Sequence, residues 1–326
     1  MAMSKFRKLG NQLYSGERSF DFVGKKNLWY AIAAVAVILA VSLPILRGGF
    51  NFGIEFRGGS EFRVNNSQEL PQSLAVETVN EIVPGVQVNV AAVGFSDLRI
   101  QTEQLEDLES EEVRLALAEA FGVDPAEVAS SFVGPNWGAD VTRQALIGLG
   151  VFLLLVSLLM AFYFRSWKMS VAALLALAHD LVLTAGVYAG VGFEVTPAAV
   201  IGFLTILAYS LYDTVVVFDK VRENTLEIEL SDTRTFGEMV NLAVNQTLVR
   251  SINTSVVAVL PVGSILFIGS LILGAGTLRD IALALFIGTI VGTYSSIFLA
   301  APIYAHLRSG EKELKKASER VLAGRE

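Results

Sequence analysis

Apolar residues along this chain fall into six long runs that are separated by polar segments. A helix that crosses the hydrocarbon core of a bilayer needs about 20 predominantly apolar residues. Six segments, numbered here as spans one to six, meet that requirement: Leu28–Leu46, Ala145–Phe164, Val171–Phe193, Thr196–Phe218, Ile252–Leu273 and Ile281–Tyr304. The pattern therefore predicts an α-helical polytopic membrane protein with six transmembrane helices.

The polar segment between spans one and two has a different periodicity. Alternation of apolar and polar residues predicts four strands, at Gly59–Val64, Val86–Val93, Asp97–Gln101 and Glu127–Val133. Helical spacing predicts one helix within Gln68–Val83 and another over Ser110–Phe121, with Ser110 as its cap. The resulting order β-α-β-β-α-β is that of the ferredoxin-like α+β fold.

These patterns divide the chain into segments. The predicted order is a tail at 1–27, span one at 28–46, the ferredoxin-like domain at 47–143, spans two to six within 144–304, and a tail at 305–326. The stretch at 219–250 is amphipathic, which favours a helix on the membrane surface or against a partner. The last tail, EKELKKASERVLAGRE, is highly charged, and we expect it to fray.

Composition and charge support this arrangement and orient it. Hydrophobic residues make up 53% of the 326 residues and charged residues only 17%. Lys and Arg are concentrated in both tails and in the segments that follow spans two and four, so the positive-inside rule places both termini in the cytoplasm. The domain at 47–143 carries 16 acidic and 6 basic residues and is predicted to lie outside. Neither surface indicates a nucleic-acid partner.

Several kinds of chemistry are excluded by residue content. The chain has no cysteine and only two histidines, which excludes thiol chemistry and a histidine-built metal site. The Gly58–Gly59 pair lacks the lysine and the strand–loop–helix context of a P-loop, so nucleotide is not predicted as a direct energy source. We predict no cofactor and no metal.

Ionisable residues inside membrane spans indicate function, because charge is costly to bury there. Asp213 lies in span four, with Tyr209 one helical turn before it. Asp180 lies in span three beside His179, and Arg250 stands at the start of span five. Burial disfavours a charged carboxyl and a nearby arginine favours it, so a carboxyl between these influences can take up and release protons. These residues are the candidate proton-coupling site.

A structural role is the alternative for each candidate. Asp213 could be a neutral group that hydrogen-bonds a neighbouring helix, and His179 could serve the same purpose. Arg250 could extend its guanidinium to the membrane surface. Asp219, at the end of span four, is expected to be interfacial and paired with Lys220 or Arg222.

Four motifs resemble the SecF family, the six-helix membrane subunits of the bacterial SecD/SecF accessory complex. They are YSLYDTVVVFDKVREN (Tyr209–Asn224), FGIEFRGG (Phe52–Gly59), HD (His179–Asp180) and QTLVRSINTS (Gln246–Ser255). The resemblance implies half of an RND-type transporter in the bacterial cytoplasmic membrane, acting in Sec-dependent protein translocation. It assigns proton use to Asp213 and Arg250.

The same resemblance implies partners. SecD is the expected companion, and the SecYEG channel and the SecA motor act on the same unfolded preprotein; YajC and YidC are further candidates. The proton-motive force would complete preprotein export. This chain departs from many relatives in having Glu55 in place of Asp and Tyr212 in place of Asn, and the second change places a phenol beside Asp213.

Three other functions compete with this one. RND relatives also export small molecules or lipids, although a single ferredoxin-like domain is small for a complete exporter. The Tyr212–Asp213 pair matches the YD of intramembrane aspartyl proteases, but Asp180 precedes it in the chain and lacks the GxGD context. The third alternative is a passive scaffold. We predict that the protein is not an enzyme.

Overall fold

The computed structural model of the chain describes residues 2–65, 71–93, 96–226, 233–269 and 276–325. Six of its helices are long and apolar enough to cross a membrane, and they include the six predicted spans in chain order. The predicted end of span five, at 270–273, lies outside the described residues.

The spans are built from the following helices. Span one is α2 (Lys26–Leu46), span two is α6 (Pro135–Phe164), span three is α7 (Trp167–Val191), and span four is α8 (Pro197–Thr225). Span five is α9 (Phe236–Ser264), which continues as a π-helical turn (Ile265–Gly269). Span six comprises α10 (Gly276–Ser295), a π-helical turn (Ser296–Ala300) and α11 (Ala301–Arg308).

Local signals explain where these helices begin. Thr196 caps α8 by accepting a hydrogen bond from the amide of Ala199, and Pro197 occupies its first turn. Thr235 and Glu238 form a reciprocal capping box at the start of α9. Helix α6 begins with Pro135, ten residues before the predicted start of span two, because its first turns are polar and extend beyond the apolar run.

The ferredoxin-like domain has the predicted order of elements. Its four antiparallel strands, β1 (Gly59–Val64), β2 (Val88–Val93), β3 (Asp97–Thr102) and β4 (Val128–Val133), lie in the order β2-β3-β1-β4. Helices α4 (Gln72–Ile82) and α5 (Asp107–Phe121) cover one face, and a short α3 (Ile54–Arg57) precedes β1. Helix α5 begins one turn earlier than predicted because Glu106 and Glu109, rather than Ser110, form its capping box.

Residues 236–250 of the amphipathic segment predicted at 219–250 form the first half of α9, whereas 219–225 belong to the end of α8 and 227–232 lie outside the described residues. Its apolar residues Phe236, Val240 and Val244 are buried in the core that the described helices share, so the partner of this face lies within the chain. Its polar residues Asn241 and Asn245 accept hydrogen bonds, each of 2.8 Å, from the backbone amides of residues 22 and 20. The predicted surface helix is therefore continuous with span five.

Both tails contain helices that sequence patterns did not predict. Helix α1 (Ala2–Ser15) packs on α9 and buries Leu13. The expectation that the C-terminal tail frays is wrong, since α12 (Lys312–Ala323) buries Leu314, Ala317 and Val321 along one face. These three apolar residues recur at helical spacing, and their burial stabilises a helix whose remaining residues are mostly charged.

Candidate functional site

Close packing of spans four and six brings the candidate residues together. A Cβ atom added to Gly288 would lie 2.2 Å from Cγ1 of Ile206, and one added to Gly292 would lie 2.8 Å from Cβ of Ser210. Only glycine permits such an approach between helix backbones. The contact places the middle of span six directly against the polar face of span four.

Asp213 is buried at this contact and is hydrogen-bonded to two other spans. Its side chain is only 5% exposed. Ser251 of α9 donates to Oδ1 at 2.7 Å, and Ser296 of span six donates to Oδ2 at 2.5 Å. Asp213 therefore joins spans four, five and six through its carboxyl group.

Asp180 is even more enclosed, with 1% exposure, and has a separate set of donors. Ser210 of α8 donates to its Oδ2 at 2.5 Å and Ser295 of span six donates to the same oxygen at 2.8 Å. Nδ1 of His179 lies 3.3 Å from Oδ1. The carboxyl group of Asp180 thus joins spans three, four and six.

Two consecutive residues of span six serve the two aspartates. Ser295 ends α10 and bonds Asp180, whereas Ser296 begins the π-helical turn and bonds Asp213. An α-helix turns about 100° per residue, so neighbouring side chains point to different helices. Widened π turns occur frequently at functional sites. In this protein the π turn begins directly after Ser295, so the two serines that bond the two carboxyl groups are joined by one peptide bond.

Arg250 does not bond Asp213 directly. It is exposed, and its guanidinium lies 3.3 Å from the hydroxyl of Tyr212. Ser251, which bonds Asp213, directly follows Arg250, and Asp213 directly follows Tyr212. The contact between Arg250 and Tyr212 therefore lies next to the one between Ser251 and Asp213. The exposed phenol of Tyr212 therefore contacts the predicted arginine.

Other polar atoms near the site have no hydrogen-bond partner among the described residues. They are the hydroxyls of Tyr209, Thr214 and Tyr294 and Nε2 of His179, all of them buried. Tyr209 is the residue predicted one turn before Asp213. Buried polar atoms are rarely left without a partner, so a group of four calls for a functional explanation.

Asp219 differs from the prediction. It is exposed and accepts a hydrogen bond of 3.0 Å from the hydroxyl of Tyr163 in span two. Lys220 pairs instead with Glu223 at 2.5 Å, one turn along the same helix. The expected pairing of Asp219 with Lys220 or Arg222 is wrong, because the tyrosine of span two reaches the carboxyl across the contact between spans two and four.

A second polar cluster joins the ferredoxin-like domain to the spans. Arg99 of β3 forms a 2.8 Å salt bridge with Glu194, which lies between α7 and α8. The amide of Gln101 donates to Glu61 at 2.9 Å and to Glu194 at 3.3 Å. Burial raises the pKa of the Glu194 carboxyl, and Arg99 opposes that rise. Burial likewise raises the pKa of Glu55.

The Gly58–Gly59 turn fixes this junction. Gly59 has φ of 136°, and a Cβ there would lie 2.3 Å from the backbone oxygen of Thr102. Just before the turn, the amide of Gly53 donates to the carbonyl of Val195 at 3.1 Å. The segment from Gly53 to Gly59 thus contacts the connection from α7 to α8 at one end and turns tightly into strand β1 at the other.

Sequence reasoning located Asp180, Asp213, Tyr209 and Arg250 but missed the four serines and the junction. Small hydroxyl residues are common in membrane helices, so Ser210, Ser251, Ser295 and Ser296 carried no distinguishing signal. The available signal for the junction was an acidic residue, Glu194, in the short connection between two spans.

The fold and the site together define a class: a polytopic membrane protein with a six-helix bundle, a polar centre of two buried carboxyls, and one ferredoxin-like domain between the first two spans. Residues 113–310 match the family model described as "Protein export membrane protein SecD/SecF, C-terminal", and residues 45–65 match the "SecD/SecF GG Motif". The chain belongs to the SecD/SecF family of protein export membrane proteins.

Curated relatives agree with this membership. The chain is 45% identical to protein translocase subunit SecF of Streptomyces coelicolor, over 99% of this chain and 86% of that protein. It is 42% identical to SecF of Mycobacterium tuberculosis, over 97% of this chain and 73% of that protein. A crystal structure of SecDF from Thermus thermophilus, a translocon-associated membrane protein, superimposes with a TM-score of 0.73 at 31% identity, covering 90% of this chain and 39% of that one.

Proposed function

We propose that this chain is a membrane subunit of the Sec protein-translocation machinery that couples the proton-motive force to preprotein export. Membership in the SecD/SecF family supports the role in translocation. The observation that carries the proton-coupling part is the pair of buried carboxyls, Asp180 and Asp213, held by adjacent serines of span six.

Proton uptake at these carboxyls would change contacts between spans. An ionised carboxylate only accepts hydrogen bonds, whereas a protonated one must also donate. When Asp213 gains a proton, the hydroxyl of Ser251 or Ser296 has to turn and accept, which releases or reverses a bond to span five or six. Because Ser295 is covalently linked to Ser296, displacement of that turn also reaches Asp180.

The energy available matches a movement of this kind. Moving one elementary charge through the membrane potential supplies about 2.3 kcal/mol per 100 mV. A hydrogen bond to a charged group contributes about 1.5–3 kcal/mol. One proton therefore suffices to exchange one such contact, and a few protons suffice to move a span.

The remaining candidates line the approach to this centre. The unpartnered hydroxyls of Tyr209 and Tyr294 and Nε2 of His179 are groups that a proton-carrying water can bind. Arg250 contributes a positive charge on the exposed side of the helix, where it contacts Tyr212. In this proposal Tyr209 and Arg250 assist proton transfer, and Asp213 and Asp180 bind the proton.

SecD is the proposed direct partner. The Thermus SecDF protein is one chain of which this chain matches 39%, so a SecD portion accompanies the matched part there. We propose that both termini face the cytoplasm and that the ferredoxin-like domain lies outside, as the distribution of Lys and Arg indicates. The SecYEG channel, SecA, YajC and YidC stay predictions from the family resemblance.

Substitution of Asp213 by Asn tests the proton role. Asparagine keeps the size of the side chain and, like the protonated carboxyl, accepts from one serine and donates to the other, so it holds the site in one state and removes the titrating group. We expect Asp213→Asn to abolish the acceleration of preprotein release by the proton-motive force in reconstituted vesicles containing SecD and the translocation channel.

Asp219→Asn is the matched control, because it lies on the same helix but is exposed and bonds only Tyr163 among the contacts described. This variant should retain the acceleration. If Asp213→Asn keeps the same acceleration as the wild type, the carboxyl is structural and the proton-coupling proposal fails.

The alternative functions are less well supported. The relatives are protein translocase subunits, which does not favour export of small molecules or lipids. Intramembrane proteolysis needs two aspartates that act on one substrate bond, whereas Asp180 and Asp213 each bind a separate pair of serines.

A further inference from the structure

A basic pocket lies where span one begins and span six ends, on the side of the bundle opposite the ferredoxin-like domain. Its volume is about 320 Å³. Lys26 of α2 and Lys315 of α12 line it, together with His306 and the hydroxyl residues Ser309 and Ser318. Its described lining contains no carboxylate, so two positive charges face the same space.

Two cations at this end of the bundle are paired with a carboxylate of the chain. Lys168 bonds Glu311 at 2.9 Å, and Arg308 bonds the same carboxylate at 2.7 Å. Within the described part of the chain, Lys26 and Lys315 form no salt bridge. The lining of the pocket therefore provides no carboxylate that neutralises these two lysines.

An apolar groove of about 640 Å³ adjoins the pocket and shares His306 and Ser309 with it. The groove runs between spans one and six and is lined by Tyr30, Ile303 and Leu307. The ring of Tyr30 stacks on His306 with centroids 6.0 Å apart. Its hydroxyl is buried with no partner among the described residues, which leaves a hydrogen-bond donor at the junction of groove and pocket.

We propose that the pocket and groove together bind one anionic phospholipid of the membrane, with phosphatidylglycerol as its representative. The phosphate lies between Lys26 and Lys315, and the hydroxyl of Tyr30 donates to an ester oxygen. An acyl chain follows the groove past Ile303 and Leu307. Basic pockets at the ends of membrane helices suit anionic headgroups.

Charge and shape together select this ligand. Inorganic phosphate would use the lysines but leave the apolar groove uncovered. Phosphatidylcholine would fill the groove, but its own quaternary amine already balances the phosphate and is repelled by two lysines. Only a lipid with net negative charge satisfies both parts of the site.

Native mass spectrometry of the purified full-length protein in detergent tests this site. The protein is titrated with phosphatidylglycerol, with phosphatidylcholine of the same acyl chains, or with inorganic phosphate as competitor. We expect the wild type to retain one phosphatidylglycerol in preference to phosphatidylcholine. The double variant Lys26→Gln and Lys315→Gln should weaken phosphatidylglycerol binding by roughly 30-fold, since each basic residue near an anionic lipid contributes a factor of about five.

The matched control replaces the adjacent lysines, Lys25→Gln and Lys316→Gln, which are exposed and absent from the lining. This control should bind phosphatidylglycerol within a factor of about two of the wild type. Thermal melting without added lipid checks that both double variants are folded. The proposal is overturned if the two double variants lose binding equally, if phosphatidylcholine is retained as well as phosphatidylglycerol, or if inorganic phosphate displaces the lipid.

Discussion

Removing the hydroxyl of Ser296 should weaken the bundle more than removing that of Ser295, although the two residues are adjacent. Ser296 is the one donor described for Oδ2 of Asp213, at 2.5 Å. Oδ2 of Asp180 receives hydrogen bonds from both Ser295 and Ser210, so loss of Ser295 leaves that oxygen with a donor.

The size of the effect follows from burial and charge. Hydrogen bonds to charged groups contribute about 1.5–3 kcal/mol in soluble proteins. Bonds between membrane helices average about 0.6 kcal/mol and reach about 1.7 kcal/mol. For a short bond to a nearly inaccessible carboxyl we expect a value at the upper end of the membrane range. Ser296→Ala should therefore lower the free energy of unfolding by about 1.5 kcal/mol, and Ser295→Ala by about 0.6 kcal/mol.

Equilibrium unfolding in bicelles provides the measurement, and a double-mutant cycle with Asp213→Ala isolates the pairwise energy. Ser264→Ala is the control, since Ser264 is exposed and bonds only a carbonyl of its own helix, at 2.9 Å. It should change stability by less than about 0.5 kcal/mol. Equal losses in Ser295→Ala and Ser296→Ala, or a coupling between Ser296 and Asp213 near zero, would refute this account of how the spans are joined.

Three further predictions concern the junction between the ferredoxin-like domain and the spans. Arg99→Met leaves the carboxylate of Glu194 with only an amide donor and should destabilise the junction by about 2 kcal/mol. This loss is smaller than that for a fully buried ion pair because Arg99 is partly exposed. Amide hydrogen exchange in β3 would detect the change, and unchanged protection of those amides would contradict the prediction. Burial raises the pKa of Glu194 in the folded state above its unfolded value, so this group makes the junction less stable as pH rises through the interval between the two values. Exchange protection should therefore increase on acidification through that interval, and Glu194→Gln should abolish the dependence. Gly59→Ala forces a Cβ against the Thr102 carbonyl at positive φ and should lower the melting temperature by several degrees, whereas Gly148→Ala, which has open space, should not.

Much of the architecture could be predicted from local patterns. Apolar runs of sufficient length predicted all six spans, because the hydrocarbon core sets a minimum length that few soluble helices meet. Alternation predicted β1 as Gly59–Val64, the range that the structure shows, and the order of elements identified the ferredoxin-like fold. Helix ends were less well predicted, as at α5 and α6, because caps and polar first turns lie outside the hydrophobic pattern.

The buried charges were also evident from sequence, since an aspartate within an apolar run is costly and therefore conspicuous. Asp180 and Asp213 stood out for that reason. Arg250 stood out equally, but its side chain is exposed and reaches Tyr212. An ionisable residue near the end of a span faces the bundle or its surface depending on how the helix is rotated about its own axis. That rotation is set by packing against the other helices, so the sequence of one helix does not determine it.

Local patterns in the chain are enough to predict the number of spans, the domain between the first two and the position of each buried carboxyl along its helix. The hydrogen-bond partners of those carboxyls depend on how the helices pack. Ser295 and Ser296 are identical neighbours, yet one bonds span three and the other span four. Their difference arises from the 100° turn between them and from glycines that let spans four and six approach. Arg99 and Glu194 are likewise distant in the chain, and folding of the domain onto the spans brings them together.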